Sequence, residues 1–252
     1  MKMAGIISVL ATLFSHSAVA GVEELLLKVA EAYGGQTRIT EVGAWLQSGV
    51  TISTMQGKEG RILRSYRHPD HLRIEIEYDN HETELRVIAG ANAWKQNQPA
   101  DKIFYSAMLL QAARLGLPAV LFEHKKQVRD AGIMTGKQGQ ELHALVLDFH
   151  GKYQLLAGID PDSGRIMESR GIIAMEGARM EFGTTYDDFR FQDGRLFAFA
   201  EEHYAIGQKT GYTRIQSMQI LPDLPDRLFT PSDPGNTGPD TRGLQKTGFR
   251  IN

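Results

Sequence analysis

Apolar and polar residues alternate with period two along most of this chain. The clearest run is 72–78, where Leu72, Ile74, Ile76 and Tyr78 fall on one face and Arg73, Glu75 and Glu77 on the other. That pattern predicts a half-buried antiparallel strand. Nine further runs predict strands over 44–54, 60–67, 82–88, 142–150, 153–159, 165–174, 178–191, 196–204 and 211–220. Turn-forming residues separate them at Asn80-His81, Gly151-Lys152, Asp160–Gly164 and Asp193-Gly194, so the prediction is a meander of about ten short strands.

Two stretches follow a helical period instead. In 22–33, Val22, Leu25, Leu26, Val29, Ala30 and Tyr33 recur at helical spacing, and Gly34-Gly35 stops the run. A turn or second short helix is expected over 37–42. The stretch 101–122 is organised around Phe104, Met108, Leu109, Ala112 and Leu115, with a second apolar flank of Ile103, Leu110, Ala113 and Leu117. A helix apolar on most of its circumference is expected to be enclosed. Arg114 in its middle and the Gly116-Leu117-Pro118 break argue against a membrane span, which needs about 20 uninterrupted apolar residues. The fold class is therefore mostly β (α+β): a strongly curved antiparallel sheet whose concave apolar face is covered by separate helices, with a cavity expected between them.

Residues 1–20 read differently from the rest. Lys2, the apolar run 6–14 and Ala18-Val19-Ala20 have the form of a secretory signal peptide. Its removal takes one Lys from 28 basic residues against 30 acidic, a net charge of −3. That balance offers no footprint for nucleic acid. With no cysteine, disulfides, thiol catalysis and a lipid-modified cysteine anchor are excluded. The span 21–231 shows no internal linker and is expected as one domain, while the Gly-, Pro- and polar-rich 232–252 is expected to be disordered.

Candidate chemistry is sparse. His68-Pro69-Asp70-His71 reads as a strand-to-strand turn rather than a metal site, which would need three or four arranged ligands. Asp160–Gly164 opens like a calcium loop but carries Arg165 at the glycine position and Gly171 at the twelfth. The run from Ala131 to Lys137 approaches a phosphate loop but ends in Gln138 where a hydroxyl should hold Mg²⁺. No metal or cofactor is implied, and no catalytic motif is assembled. The residues point to a binding protein rather than an enzyme.

The landmarks, taken in order, resemble the periplasmic outer-membrane lipoprotein carriers of the LolA/LolB type. They are the opening helix to Gly34-Gly35, the strand from Leu46 to Thr51, the hairpin from Tyr66 to Arg73, Gly90–Trp94, the helical insertion, the hairpin from Ile159 to Gly164, and the closing Leu224–Pro231. The resemblance implies an incomplete antiparallel β-barrel with helices over a hydrophobic cavity. It implies a periplasmic carrier for the acyl chains of lipoproteins or lipids, with an inner-membrane donor and an outer-membrane acceptor as partners. On that reading Leu72, Ile74, Ile76, Trp94, Phe104, Met108, Leu109 and Leu115 line the cavity, although each serves equally well as plain core. Arg67, displaced by one from the family position through His68, is expected to contact the helical lid. The alternative is an envelope-stress sensor of the same fold that binds lipid without transporting it.

Overall fold

In a computed structural model, residues 13–231 are described, except 42, 150, 176 and 177; side chains are described from residue 21 onward. The expected tail, 232–252, and the first part of the expected signal peptide, 1–12, lie outside the described residues. The fold is an open antiparallel sheet of thirteen strands with few helices, ordered β6-β5-β4-β3-β2-β1-β13-β12-β11-β10-β9-β8-β7. By chain contacts it divides into two compact units.

The first unit combines the chain up to residue 42 with 116–210. It contains helices α1 (Leu13–Ala32), α2 (Gln36–Thr40) and α4 (Ala119–Glu123), and strands β7 (Val128–Thr135), β8 (Glu141–Phe149), β9 (Tyr153–Ile159), β10 (Ile166–Met175), β11 (Ala178–Gln192) and β12 (Arg195–Ala205). Helix α1 begins ahead of the expected start at Val22 but ends where predicted. Gly34 and Gly35 take φ of 94° and 101°, and the Gly35 N–H donates to the Ala30 carbonyl at 2.7 Å. Its predicted stripe, from Val22 to Tyr33, is buried. The Tyr33 hydroxyl accepts the Ile166 N–H at 3.2 Å, and burial pushes this phenol well above its ordinary pKa. Gly164, at φ 69°, lies so close to the Lys28 carbonyl on α1 that a Cβ there would collide with it.

The second unit combines 43–115 with the chain from 211 onward. Its strands are β1 (Ala44–Ser53), β2 (Lys58–Arg67), β3 (His71–Tyr78), β4 (Thr83–Ala89), β5 (Asn92–Lys95), β6 (Gln98–Pro99) and most of β13 (Gln208–Leu221). Helix α3 (Lys102–Leu115) precedes a break before α4, and a 3-10 turn (Asp226–Phe229) closes the described chain. The predicted helical stretch is thus two helices, interrupted at Gly116-Leu117-Pro118 as its composition required.

Among the described residues thirteen strands stand where about ten were expected. Strands β5 and β6 are too short to show a period. Strand β7 takes in the first part of the phosphate-loop-like run, up to Thr135. Its register slips between Asp130 and Ile133, where Gly132 turns at φ 76° and donates its N–H to the Asp130 carboxylate at 2.7 Å. That bulge broke the alternation. Asp130 also accepts His143 Nε2 at 2.8 Å. Partial burial pushes the Asp130 carboxyl up, but these two hydrogen bonds outweigh it and leave the pKa lowered.

The calcium-loop-like run is a hairpin whose first residue caps it. Asp160 Oδ1 accepts the N–H groups of Asp162 and Ser163 at 3.1 and 2.7 Å and the Ser163 hydroxyl at 2.9 Å. The Ser163 N–H is the main reason its carboxyl lies below the ordinary 3.8. A carboxyl with a lowered folded-state pKa stabilises above its unfolded value and ceases to as the pH falls through the folded one. Asp160→Ala is therefore expected to cost about 1 kcal/mol at neutral pH, as read by urea unfolding. The difference from the parent should shrink below pH 3.8.

Candidate functional site

Strand register sorts the second unit into two faces. On one, Leu72, Ile74 and Ile76 of β3 pair with Tyr66, Arg64 and Ile62 of β2 and with Ile88, Arg86 and Glu84 of β4. Leu72, Ile74, Ile76, Ile62, Tyr66 and Ile88 are all buried. Trp45 of β1 stacks on Tyr66 with ring centroids 4.9 Å apart. Lys95 of β5 pairs with Arg86, which places it on this face too. Its ammonium lies 5.9 Å from the centre of the Phe104 ring, so α3 covers the same face. Helix α3 contacts β3, β4 and β5, and the Tyr105 hydroxyl donates to the Gly90 carbonyl at 3.3 Å.

The helix is set in place by its first turn. Asp101 Oδ1 accepts the Phe104 N–H at 2.8 Å, an N-terminal cap. Met108 and Leu109 are buried at 2% and 4% exposure, while Phe104 and Leu115 are half-buried. Seven of the eight residues expected to line a cavity thus lie on β3 or α3, whose contact is direct. Leu72, Ile74 and Ile76 share the covered face, while Met108, Leu109, Phe104 and Leu115 ride on the helix.

Trp94 departs from that grouping. It pairs with Val87, and Val87 pairs with Arg73, so it belongs to the opposite face. There it packs with Leu85, Ala89 and Leu221 against a cluster of Ala44, Leu46, Val87, Leu224, Leu228 and Phe229. Its expected place on the cavity wall is corrected to an anchor for the closing segment.

Arg67 is corrected in the same way. Its Nη1 donates to the Leu224 carbonyl at 2.7 Å, its Nη2 lies 2.6 Å from the Asp226 carboxylate, and its guanidinium sits 5.1 Å from the Phe229 ring centre. Arg73, 3% exposed, works beside it. Its Nε donates to Glu75 at 2.8 Å and its Nη1 to the Thr230 carbonyl at 3.1 Å. The arginine expected on the helical lid instead clamps the closing segment to the other face. The reason is parity: Arg67 pairs with His71, one residue out of phase with Leu72.

The covered face is not wholly apolar. Arg64, 2% exposed, and Gln47, 4% exposed, are neighbours on it. Arg64 Nη2 approaches the Thr213 hydroxyl at 3.5 Å, which in turn meets the Thr51 hydroxyl at 3.0 Å. Gln47 Nε2 reaches the Met218 sulfur at 3.7 Å. This polar band was not picked out from the sequence, although Arg64 is in phase with Ile62 and Tyr66 and so had to point inward. At the far rim the Tyr78 hydroxyl donates to Glu84 at 3.0 Å. Burial first, and the Glu84 charge second, push this phenol up to about 12. The Glu84 carboxyl is raised by burial, but Arg86 and Tyr78 outweigh that and leave it below the ordinary range.

His68-Pro69-Asp70-His71 is the β2–β3 turn. His68 Nδ1 lies 3.1 Å from the Tyr66 hydroxyl and His71 Nδ1 2.9 Å from Asp70. Among the described residues no three acidic, His or Cys side chains cluster as metal ligands.

A scan against protein-family models and a search of curated proteins give no match. Solved structures do match. A LolA superfamily protein from Nitrosomonas europaea superposes with a TM-score of 0.53 at 13% identity, covering 83% of this chain and 97% of that one. The fold is LolA-like. A putative outer-membrane lipoprotein-sorting domain from Vibrio parahaemolyticus (TM-score 0.46, 11% identity, 85% and 97% covered) and a DUF1329 family protein from Desulfovibrio piger (0.48, 10%, 84% and 97%) also match.

The clamp on the closing segment can be tested directly. Arg67→Ala removes a hydrogen bond and an ion pair at a side chain 18% exposed, and should destabilise by roughly 2 kcal/mol. Hydrogen exchange should show faster exchange across 224–230. Exchange confined to α3 would instead restore the lid contact.

Proposed function

We propose that this protein is a soluble periplasmic carrier that binds the acyl chains of a lipoprotein or lipid. The observation that carries the reading is the covered face of the second unit. Leu72, Ile74 and Ile76 form an unbroken apolar strip under a helix that is separate from the sheet. An acyl chain buried there would gain about 0.8 kcal/mol per CH₂, enough to hold a lipid between membranes. Uptake and release would need only α3 to shift, because the strands beneath are fixed by their ladders.

The LolA-like fold supports this assignment, as does the signal-peptide form of residues 1–20. Among the described residues no helix is long and apolar enough to cross a membrane. The implied partners are an inner-membrane donor and an outer-membrane acceptor for the acylated cargo.

Phe104 is the residue to alter, because it is half-buried on α3 and tolerates change better than the enclosed Met108 or Leu109. Phe104→Ser should weaken binding of a fluorescent fatty acid by about tenfold, in line with the loss of one buried aromatic side chain, with little change in melting temperature. Micromolar binding that is identical in parent and variant would remove α3 from the site. No binding in the parent would remove the carrier reading itself.

A further inference from the structure

A buried amide on the covered face of the second unit has no counterpart for its oxygen. Gln47 of β1 is 4% exposed. It pairs with Met218 of β13 and with Arg64 of β2, and Arg64 pairs in turn with Ile74 of β3. Gln47 therefore faces the same way as Leu72, Ile74 and Ile76. It stands two strands from Ile74, about 10 Å at the usual strand spacing. Its Nε2 lies 3.7 Å from the Met218 sulfur. Its Oε1 is buried and accepts no hydrogen bond among the described residues. A thioether accepts and cannot donate, so the amide turns its nitrogen to Met218 and its oxygen away.

An oxygen in that state burdens the fold. Burial has taken its water, and no protein donor replaces it. An apolar side chain of the same shape would suit the core better. Gln140 and Gln219 carry buried oxygens of the same kind, but neither residue is more than half-buried and neither lies on this face. Gln140 belongs to the first unit, and Gln219 pairs with Leu46 and so faces the closing segment. Gln47 alone of the three stands beside the apolar strip.

We infer that Gln47 reads the linkage at the polar end of the acyl cargo and selects an amide. Its oxygen calls for a hydrogen-bond donor on the ligand. An acyl carbonyl is followed by oxygen in an ester, by a charged oxygen in a carboxylate and by N–H in a secondary amide. Only the amide brings a hydrogen to that position. With the amide N–H donating to Gln47 Oε1, the tail runs across Ile74 towards α3. An ester in the same place would set one acceptor against another, so selection comes from repulsion as well as from a lost hydrogen bond. This selection, which rests on the carrier reading, favours an N-acylated amine or peptide over an ester-linked lipid.

The test uses the full chain and three uncharged ligands. They are N-lauroylglycine methyl ester, methyl lauroyloxyacetate, in which oxygen replaces the N–H, and N-lauroylsarcosine methyl ester, in which a methyl group replaces the hydrogen. Displacement of a fluorescent fatty acid gives each affinity. The parent should bind the glycine amide about tenfold more tightly than either of the others. Gln47→Met keeps the shape and removes the oxygen. It should bring that ratio to about one without lowering the melting temperature. The parent ratio is read without any variant, and Gln47→Leu removes the oxygen a second way should Gln47→Met fail to fold. Equal affinities in the parent, a sarcosine amide that binds as well as the glycine amide, or a preference that survives loss of Gln47 would each overturn the assignment. Binding without discrimination would remove the role of Gln47 and leave the carrier reading standing. No binding of the fatty acid or of any of the three ligands would remove both.

Discussion

Strands β2 and β4 carry apolar residues on both of their faces, β3 between them is covered on both, and the rest of the second unit follows from the need to cover each face. A strand that faces water on one side can leave that side polar. Strand β3 cannot: Leu72, Ile74 and Ile76 point one way, while Arg73, though charged, is buried on the other with Val87 across from it. Helix α3 covers the first face. The closing segment covers the second, inserting Leu224, Leu228 and Phe229 over Leu46 and Val87. The two covers are held differently. Arg67 and Arg73 fasten the closing segment through charged hydrogen bonds to its carbonyls and to Asp226. Helix α3 rests on apolar contact, a capped first turn and the Tyr105 hydroxyl. A cover that rests mainly on apolar contact can be exchanged for another apolar body at small cost; one fastened by buried charges cannot. That difference is the physical basis for placing the ligand under α3.

Period-two alternation made most of the sheet legible, because a half-buried strand must alternate. The interruption of the helical stretch was legible too, since Gly116 and Pro118 stand where α3 ends and α4 begins. Strand β7 was not, because its bulge at Gly132 breaks the period, and an isolated Gly followed by a Lys imitates a phosphate loop. The deeper loss was parity between strands. Within β3 the faces were assigned correctly, but which residues of β2 and β5 share them depends on register. Pairing of Tyr66 with Leu72 puts Arg67 on the far face, and pairing of Trp94 with Val87 does the same. Arg67, expected at the helical lid, and Trp94, expected at the cavity, therefore both lie against the closing segment. Arg64 points inward by the same rule, at 2% exposure, against the tendency of charged residues to lie at the surface.

In the first unit the same economy of glycine and aspartate shapes the turns. Asp160 caps one hairpin, Asp193-Gly194 makes another, and the second is fixed further where Arg38 of α2 donates to the Asp193 carbonyl at 3.3 Å.

The central claim is that an acyl chain occupies the face beneath α3. It is tested most directly by native mass spectrometry with lipid extraction on protein purified gently from its own envelope. The account predicts a mass increment matched by an extracted acyl lipid or acylated peptide. A clean unliganded mass, together with no fatty-acid uptake at micromolar concentration, would contradict it and make Leu72, Ile74, Ile76 and the α3 side chains ordinary core.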